Sequence, residues 1–175
     1  MKRILIDMDD VMAETGLKIL DTYNTLFNTN FKKEDFNEKS FTDLFKADNY
    51  LKVRTEIGKS GFFRDLAVKQ NAVEVIEKLY KVHDVYIVSA ATEFPESLSE
   101  KVHWLNEHFP FVEWQKMVFC GYKHMIKADV MIDDHTKNLD YFEGETKLLF
   151  DAMHNQKVTG YTRVTHWDEI GKLLL

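Results

Sequence analysis

The sequence predicts an α/β fold, a parallel β-sheet of about five strands with helices on both faces and a small helical cap inserted after strand one. Two observations support this prediction. Short apolar runs, each long enough for one buried strand, alternate with segments whose apolar residues recur at helical spacing. Polar residues follow several of these runs directly, as is typical of parallel strands whose carboxyl ends form a binding site.

The length and composition indicate one globular domain with a hydrophobic core, and they exclude some classes of function. The chain has 175 residues, of which 45% are hydrophobic and 13% aromatic, so it can bury a core. Its formal net charge of -6 argues against a general nucleic-acid-binding protein. No apolar run approaches the roughly 20 residues that span a bilayer, and no signal peptide is expected. We therefore expect neither a nucleic-acid polymer nor a membrane as a partner.

The single cysteine, Cys120, excludes an intrachain disulfide and fits a reducing compartment, so a cytoplasmic location is expected. Cys120 lies in an apolar run and is predicted to be a buried small hydrophobic residue. The three tryptophans, Trp104, Trp114 and Trp167, are predicted to pack in the core or between helices.

Five apolar runs are predicted to be the strands. The first, residues 4–6, is too short for a helix and has the continuous apolar character of a strand buried on both faces. The others lie at residues 85–88, 117–120, 130–132 and 148–150. Helices are predicted at 71–81, at 167–175, and at 97–109 with Leu98, Val102, Leu105 and Phe109 on one face.

The chain is predicted to divide into a core domain, residues 1–15 with 67–175, and a helical cap, residues 16–66. Apolar residues recur at helical spacing over 17–27, and residues 49–57 form another helical segment. Ser40 and Asp43 have the spacing of a capping box ahead of a short helix. Because a βα connection is usually only a few residues long, this insertion is expected to cover the end of the first strand.

The first predicted strand ends in three acidic residues, Asp7, Asp9 and Asp10. Buried parallel strands present ligand groups at their carboxyl ends, so Asp7 and Asp9 are expected side by side where a ligand can reach them. Carboxylates this close repel one another and stay ionised only if a cation neutralises them. Hard oxygen ligands suit Mg²⁺, which is the predicted cofactor.

Polar residues also follow the next three strands. Ser89 follows the second strand, Lys123 lies in the loop after the third, and Asp133 and Asp134 follow the fourth. In a parallel sheet these positions lie along one edge. Together with the first acidic cluster they predict a single site.

This set of groups predicts phosphoryl transfer. One carboxylate can attack phosphorus and form an acyl phosphate. A second acid two residues further on faces the leaving oxygen, where it can donate a proton and then take one from water. The hydroxyl and the ammonium hold the non-bridging oxygens as charge develops, and the distant acids complete the Mg²⁺ site.

The segments that carry these groups resemble those of the haloacid dehalogenase (HAD) superfamily of phosphohydrolases. The matching segments are Asp7-Met8-Asp9-Asp10-Val11, Ser89, Lys123 and Ile132-Asp133-Asp134. The resemblance implies a Rossmann-like sheet, and the insertion after the first strand resembles the small helical cap of that superfamily.

A closer resemblance, over most of the chain, is to the 5'(3')-deoxyribonucleotidase family. The segments that carry it are Gly61-Phe62-Phe63, Lys123, Ala128-Asp129-Val130-Met131-Ile132-Asp133-Asp134, Leu149-Phe150-Asp151-Ala152-Met153-His154-Asn155-Gln156 and Trp167. This resemblance implies Mg²⁺-dependent dephosphorylation of nucleoside monophosphates, with a preference for deoxyribonucleotides. It also implies a homodimer.

The same resemblance implies a role for the matching residues. Asp7 is similar to the nucleophile of the family, and Asp9 to its general acid and base. The implied catalytic groups that hold the phosphate are Ser89 and Lys123, with Ala90 also in the substrate site. The implied Mg²⁺ ligands are the Asp7 carboxylate, the Asp9 backbone carbonyl and Asp133, with Asp134 nearby or acting through water.

Two adjacent aromatic residues, Phe62 and Phe63, lie where the insertion returns to the core, and could line a pocket for a flat ring. The family resemblance implies that one of them stacks on the base or sugar. Packing of the cap on the core is the alternative. His154 is predicted to make a structural hydrogen bond.

The chain departs from the family pattern at two positions. Asp10 stands where a glycine is common in the superfamily, and Gly121 where animal deoxyribonucleotidases have a basic residue two positions before the motif lysine. The second departure affects one expected substrate contact. Residues that could replace that contact are Arg54, Arg64 and Arg163.

Three alternative functions can be compared with this prediction. A HAD phosphatase acting on a sugar phosphate or another small metabolite would use the same chemistry. A receiver-type signalling domain also has an acidic Mg²⁺ pocket and a lysine, but it would need an aspartate where the third strand ends, at Cys120-Gly121. A binding protein that has lost catalysis is not supported, because both acids of the first motif and the lysine are present.

Overall fold

Six parallel strands form one sheet in the computed structural model of the chain, which describes residues 1–36 and 41–175 without the side chain of Thr42. The strands are β1 (Arg3–Asp7), β2 (Asp84–Ser89), β3 (Met117–Phe119), β4 (Val130–Asp133), β5 (Thr146–Phe150) and β6 (Thr162–Val164). They are arranged in the order β3-β2-β1-β4-β5-β6, and every neighbouring pair is parallel.

Seven α-helices are found in the described part of the chain. They are α1 (Thr15–Phe27), α2 (Phe41–Leu44), α3 (Ala47–Ile57), α4 (Ala72–Val82), α5 (Ser97–His108), α6 (Thr136–Leu139) and α7 (Trp167–Leu174). Short 3₁₀ turns lie between several elements, the first at Lys33–Phe36. The capping box predicted at Ser40 and Asp43 cannot be compared, because Ser40 lies outside the described residues.

The predicted α/β class is confirmed, and the predicted count of strands is short by one. The additional strand is β6, at the edge of the sheet. It has three residues, and only Val164 among them is buried. Such a segment contains no apolar run, and it is a strand because the backbone of β5 offers it a partner.

The sheet separates two apolar layers. Alternate residues of β1 point to opposite faces, so Ile4 and Ile6 belong to the larger cluster and Leu5 to the smaller one. The larger cluster includes buried residues of α4, α5, α7 and the helices between β1 and α4. The smaller cluster is covered by Leu139 of α6 and by Phe142 from the following loop. Both faces are covered, and among the described residues the smaller cluster is covered by a single α-helix of four residues, α6.

The order of the strands places the carboxyl ends of β1, β2 and β4 side by side. The chain runs outward from β1 through β2 to β3, then crosses back and continues from β4 to β6 on the other side. The direction of winding therefore reverses between β1 and β4, and a crevice for ligands forms at such a switch point. Asp7, Ser89 and Asp133 are the last residues of these three strands.

The helices between β1 and α4 are held together mainly by aromatic side chains. Tyr23 of α1 stacks on Phe45 with ring centroids 3.7 Å apart and planes inclined by 7°. Phe31 and Phe36 pack around Phe45 with centroids 6.2 and 5.9 Å away. This cluster is continuous with the larger apolar layer of the sheet. The division into a core and a cap at residue 16 and residue 66 stays a prediction.

The buried face of α5 agrees with the predicted one only in part, since Leu105 and the following Phe109 are buried as predicted. Leu98 and Val102 are only half-buried, whereas Glu100 and Lys101 are buried together with Trp104. The helix therefore turns a partly polar face inward. The apolar stripe in the sequence did not reveal it, because the buried polar groups are stabilised by specific partners and not by apolar packing.

Two smaller predictions also need correction. Trp114 is 77% exposed and packs in no core, and Cys120 is half-buried against the smaller apolar cluster. Trp104 and Trp167 are buried, as predicted. No helix in the described ranges is both long and apolar enough to cross a membrane.

Replacing Trp104 with Phe is expected to lower the free energy of unfolding by about 2–3 kcal/mol. The indole N–H of Trp104 donates to the carbonyl oxygen of Leu66 at 2.7 Å, and both residues are buried. The variant leaves that carbonyl without its donor and leaves a small void. Urea unfolding monitored by circular dichroism measures the change. Trp114→Phe is the matched control and should stay within about 0.5 kcal/mol; equal losses would contradict this assignment.

Candidate active site

Asp7 is the buried acid at the end of β1. It is 5% exposed, and its Oδ1 lies 2.6 Å from the Nζ of Lys123 and accepts a hydrogen bond from the Met8 N–H at 2.7 Å. Burial raises the pKa of Asp7 to about 7; the Lys123 ammonium opposes this rise and the neighbouring carboxylate of Asp133 adds to it. Ionisation of Asp7 therefore depends on the positive charge placed beside it.

Asp9 has a separate set of partners. Its carboxylate forms an ion pair with Lys101 and accepts hydrogen bonds from the hydroxyls of Thr15 at 3.0 Å and Ser89 at 3.4 Å. Lys101 also donates to the Ser89 hydroxyl at 3.0 Å. Burial alone would raise the pKa of Asp9, but the Lys101 ammonium and the Thr15 hydroxyl outweigh it and hold the pKa below its usual value.

Lys123 lies between the two acidic clusters. Its ammonium is 2.6 Å from Asp7 and 2.8 Å from Asp133, and the residue is 3% exposed. Burial would lower the pKa of Lys123, but the two carboxylates raise it above its ordinary value, so the ammonium stays charged. Asp133 also accepts hydrogen bonds from the Asn138 amide at 2.9 and 3.0 Å and from the His135 N–H at 2.9 Å.

Asp134 is the acid with a free ligand atom. Its Oδ1 is buried and has no hydrogen-bond partner among the residues that the structure describes. Carboxylate oxygens of Asp7, Asp133 and Asp134 lie within 4.8 Å of one another. Burial raises the pKa of Asp134 well above its ordinary value, and the charges on the two other acids raise it further. Three converging hard oxygen donors and one unpartnered oxygen fit a divalent cation such as Mg²⁺.

The backbone around Asp134 is fixed by the segment after β5. The Asn155 amide donates to the Asp134 carbonyl oxygen at 2.8 Å and to the Phe150 carbonyl oxygen at the same distance. The His154 Nε2 lies 3.1 Å from the Asp134 carbonyl oxygen, and its ring stacks on that of His135 with centroids 4.2 Å apart. These contacts agree with the structural hydrogen bond predicted for His154.

The backbone conformation at Asp10 is one that favours glycine. Its φ of 53° lies in the left-handed region, which glycine adopts without steric cost. Its carboxylate accepts a hydrogen bond from the Gly16 N–H in the first turn of α1 at 2.8 Å. A Cβ on Gly16 would lie 2.7 Å from that carboxylate. In this chain a side-chain hydrogen bond to α1 thus compensates the less favourable backbone conformation.

Both aromatic residues of the segment that returns to the core are buried, with Phe62 7% and Phe63 3% exposed, and both belong to the larger apolar cluster, as the packing alternative expected. Their charged neighbours differ. The ring centroid of Phe63 lies 4.5 Å from the Lys101 ammonium, and therefore beside the Asp9 cluster. The ring of Phe62 instead faces Lys18 of α1, with the ammonium 5.0 Å from its centroid. Ala90 follows the end of β2 and begins a 3₁₀ turn.

The three arginines considered as replacements for a basic residue at Gly121 each have acidic partners. Arg54 pairs with Glu93 at 2.6 Å, and Arg64 with Glu107 at 2.7 Å. The Arg163 guanidinium donates to Asp151 and to three oxygens of the segment that follows it, at 2.8–2.9 Å. These four hydrogen bonds tie Arg163 to the segment after β5, as expected of a structural residue.

The structure brings the predicted residues Asp7, Asp9, Ser89, Lys123, Asp133 and Asp134 together at one edge of the sheet. Sequence reasoning missed Lys101, Thr15 and Asn138, which hold the carboxylates of this cluster. Lys101 had one available signal. It is four residues after Ser97 and three before Trp104, on the helical face that is buried.

A parallel sheet with an acidic pair after its central strand, a hydroxyl after β2, a buried lysine and a second acidic pair after β4 defines a HAD-like hydrolase. Comparison with solved structures agrees. A conserved haloacid dehalogenase-like protein from Agrobacterium tumefaciens superposes with a TM-score of 0.62 at 10% identity, over 98% of this chain and 96% of that chain. A haloacid dehalogenase-like hydrolase from Streptococcus pneumoniae gives a TM-score of 0.59 at 11% identity, over 99% and 98% of the two chains.

Comparison of sequences is more specific. The family model described as "5' nucleotidase, deoxy (Pyrimidine), cytosolic type C protein" matches residues 1–175. Proteins named 5'(3')-deoxyribonucleotidase from Bacillus subtilis and Bacillus phage SPbeta are each 38% identical over 177 residues, which cover 99% of this chain and 99% of each relative. The chain belongs to this 5'-nucleotidase family, a family of phosphoric monoester hydrolases. The predicted family and enzyme class are confirmed.

Magnesium is expected to stabilise the folded protein, because a divalent cation relieves the repulsion among Asp7, Asp133 and Asp134. At about a hundred times its Kd the ion should add about 2.7 kcal/mol and raise the Tm by about 5–10 °C. A thermal melt with and without MgCl₂, at ionic strength matched with NaCl, measures this shift.

The matched variants for this experiment are Asp134→Asn, which removes the carboxylate with the unpartnered oxygen, and Asp21→Asn on the exposed side of α1. The first should lose most of the Mg²⁺-dependent shift and the second should keep it. An equal shift in both variants would refute the assignment of Asp134 as a ligand.

Proposed function

We propose that the protein is a Mg²⁺-dependent phosphatase that hydrolyses deoxyribonucleoside monophosphates through an aspartyl-phosphate intermediate. The observation that carries this proposal is the separation of the two acids at the end of β1. Asp7 is paired with Lys123, and Asp9 with Lys101. Two adjacent carboxylates with different partners suit two different roles, that of a nucleophile and that of a proton carrier.

In the first step Asp7 acts as the nucleophile. Its carboxylate oxygen forms a bond to phosphorus, and the bond from phosphorus to the ester oxygen of the nucleoside breaks. Asp9 is ionised in the free protein; it takes up a proton from solvent when the phosphate dianion brings negative charge beside it. It donates that proton to the leaving oxygen, so a neutral nucleoside departs. The Ser89 hydroxyl and the Lys123 ammonium stabilise the charge on the non-bridging oxygens. The products of this step are the nucleoside and an acyl phosphate on Asp7.

In the second step water hydrolyses the acyl phosphate. Asp9, now ionised, takes a proton from the water, whose oxygen attacks phosphorus while the bond to the Asp7 oxygen breaks. Inorganic phosphate leaves, the Asp7 carboxylate is restored, and Asp9 again carries a proton. The contacts from Lys101 and Thr15 keep the Asp9 carboxylate in place through both steps.

The metal would be held by the carboxylates of Asp7, Asp133 and Asp134 and by the backbone carbonyl of Asp9. When bound it would supply positive charge to the phosphate oxygens and favour the ionised form of Asp7. One structural neighbour, described as a HAD hydrolase from Bacillus subtilis, was solved bound to magnesium; its TM-score is 0.57 at 14% identity, over 99% of this chain and 98% of that one.

The nucleoside is proposed to contact the aromatic segment of the cap. Phe63 is the better placed of the two candidates, because its ring adjoins Lys101 and thus the acid that faces the leaving group. The names of the relatives, 5'(3')-deoxyribonucleotidase, support a deoxyribonucleotide as the substrate. Ser89, Ala90 and Lys123 would surround the phosphate.

The test is phosphate release, with and without Mg²⁺, from deoxyribonucleoside monophosphates, ribonucleoside monophosphates and sugar phosphates. Mg²⁺-dependent release that favours dUMP, dTMP or dGMP is the expected result. Release from sugar phosphates alone would keep the chemistry and overturn the substrate. No release from any ester by the folded protein would overturn the proposal.

Asp7→Asn is expected to reduce turnover to less than about a thousandth while the fold is kept, because the amide oxygen is a poor nucleophile. Steady-state release of phosphate from the preferred nucleotide measures the loss, and circular dichroism tests the fold. Asp21→Asn serves again as the surface control. A folded Asp7→Asn protein with near-normal turnover would exclude Asp7 as the nucleophile.

Lys101→Met is expected to lower kcat about tenfold or more, because Asp9 loses the group that holds it in position. The lysine also keeps the pKa of Asp9 low, so its removal should move the limb of the pH–kcat profile that belongs to Asp9 toward higher pH. Lys116→Met is the matched control, since Lys116 pairs with Asp84 at the opposite end of β2. An unchanged profile in Lys101→Met would show that Lys101 does not control Asp9.

A further inference from the structure

Glu100 is a buried acid for which the proposed chemistry has no use. It lies in the first turn of α5 and is 7% exposed. Its Oε1 accepts hydrogen bonds from the Ser60 hydroxyl at 3.1 Å and from the Gly61 N–H, and its Oε2 accepts one from the Phe63 N–H at 3.0 Å. All three donors belong to residues 60–63, the segment that carries the two aromatic residues.

The next residue along α5 reaches the catalytic cluster. Lys101 contacts Asp9 and Ser89, and its ammonium lies 4.5 Å from the ring centroid of Phe63. Glu100 and Lys101, consecutive residues of α5, therefore contact different parts of the structure. One binds the backbone that carries Phe63, and the other contacts both the ring of Phe63 and the proton-carrying acid.

The remaining contacts nearby do not replace those of Glu100. The Trp104 indole of α5 donates to the Leu66 carbonyl oxygen, but Leu66 lies three residues beyond Phe63. Lys18 donates to the Phe62 carbonyl oxygen at 2.6 Å, but Lys18 lies on α1, which belongs to the insertion itself. Arg64 pairs with Glu107 of α5, and both side chains are about half exposed, so solvent weakens the pair. Glu100 makes the buried, charge-assisted link between residues 60–63 and the helix that carries Lys101.

We infer that Glu100 is a positioning residue that holds Phe63 beside the catalytic acid and thereby sets the affinity for the nucleoside. This inference rests on the proposed function, since it assigns the Phe63 segment to the nucleoside. Glu100 contacts neither Asp9 nor Ser89 among the partners given above. Its loss should therefore weaken substrate binding more than it slows the chemical step.

The experiment compares Glu100→Gln with Glu107→Gln, both on α5 and both facing the returning segment. A glutamine has the same size, but it has one acceptor oxygen where the carboxylate has two, so it cannot receive all three donors. For Glu100→Gln we expect the KM for the preferred deoxyribonucleotide to rise about tenfold, with kcat changed by less than about threefold. Glu107→Gln should change neither constant by more than about twofold.

A second variant tests the same link from the other side without touching α5. Ser60→Ala removes one of the three donors from an exposed residue, and a rise in KM of about twofold with unchanged kcat is expected. This variant keeps the inference testable if Glu100→Gln does not fold, which circular dichroism will reveal.

Hydrogen exchange supplies a measurement that is independent of turnover. The amides of Gly61 and Phe63 should exchange about tenfold faster or more in Glu100→Gln than in Glu107→Gln, because they lose the acceptor that protects them. Faster exchange together with the rise in KM supports the inference. An unchanged KM, or a loss confined to kcat, overturns it. An unmodified protein that releases no phosphate from any nucleotide overturns the proposed function instead.

Discussion

The balance of buried charge at the carboxyl edge of β1 and β4 is the constraint on which the site depends. Asp7, Asp9, Asp133 and Asp134 face two buried ammoniums, those of Lys101 and Lys123. Carboxylates outnumber ammoniums by two. Burial raises the pKa values of Asp7 and Asp134, and the neighbouring carboxylates raise them further. A divalent cation bound by these acids would supply the missing positive charge. The unpartnered oxygen of Asp134 lies where such an ion would be coordinated.

The sheet topology brings these charges together, since no short segment of sequence could do so. Asp7 and Asp133 are 126 residues apart in sequence, and they meet because β1 and β4 are hydrogen-bonded neighbours. Each strand is short and buried on both faces. Packing therefore fixes the apolar side chains that precede the acidic residue at its carboxyl end. The acids then emerge at the point where the backbone leaves the sheet. The strands thus fix the positions of these acids, and the loops that follow the strands provide residues that contact them.

Sequence reasoning identified the parts of the site that follow strands. Asp7, Ser89 and Asp133 were predictable because an apolar run that ends abruptly in a polar residue marks both the strand and its carboxyl end. It failed for the buried face of α5. There Glu100 and Lys101 are buried against partners that lie 37 and 92 residues away in the chain, Phe63 and Asp9. Periodicity detects burial by apolar packing, and it cannot detect burial of a charge that is compensated from elsewhere in the sequence. The edge strand β6 was not predicted for a related reason: it forms by backbone pairing with β5, which needs no apolar run.

These failures have a common physical origin that bears on how the site works. A charged residue buried on a helix costs free energy unless each of its hydrogen-bonding atoms finds a partner, so Glu100 and Lys101 are compatible with the fold only while the returning segment and the Asp9 cluster are both in place. The first turn of α5 therefore depends on the arrangement that joins the aromatic segment to the Asp9 cluster. The apolar residues that follow on the same helix, Trp104 and Leu105, hold it against the sheet whether or not that junction is complete. One helix thus combines a fixed apolar half with a polar half whose stability depends on the assembled site.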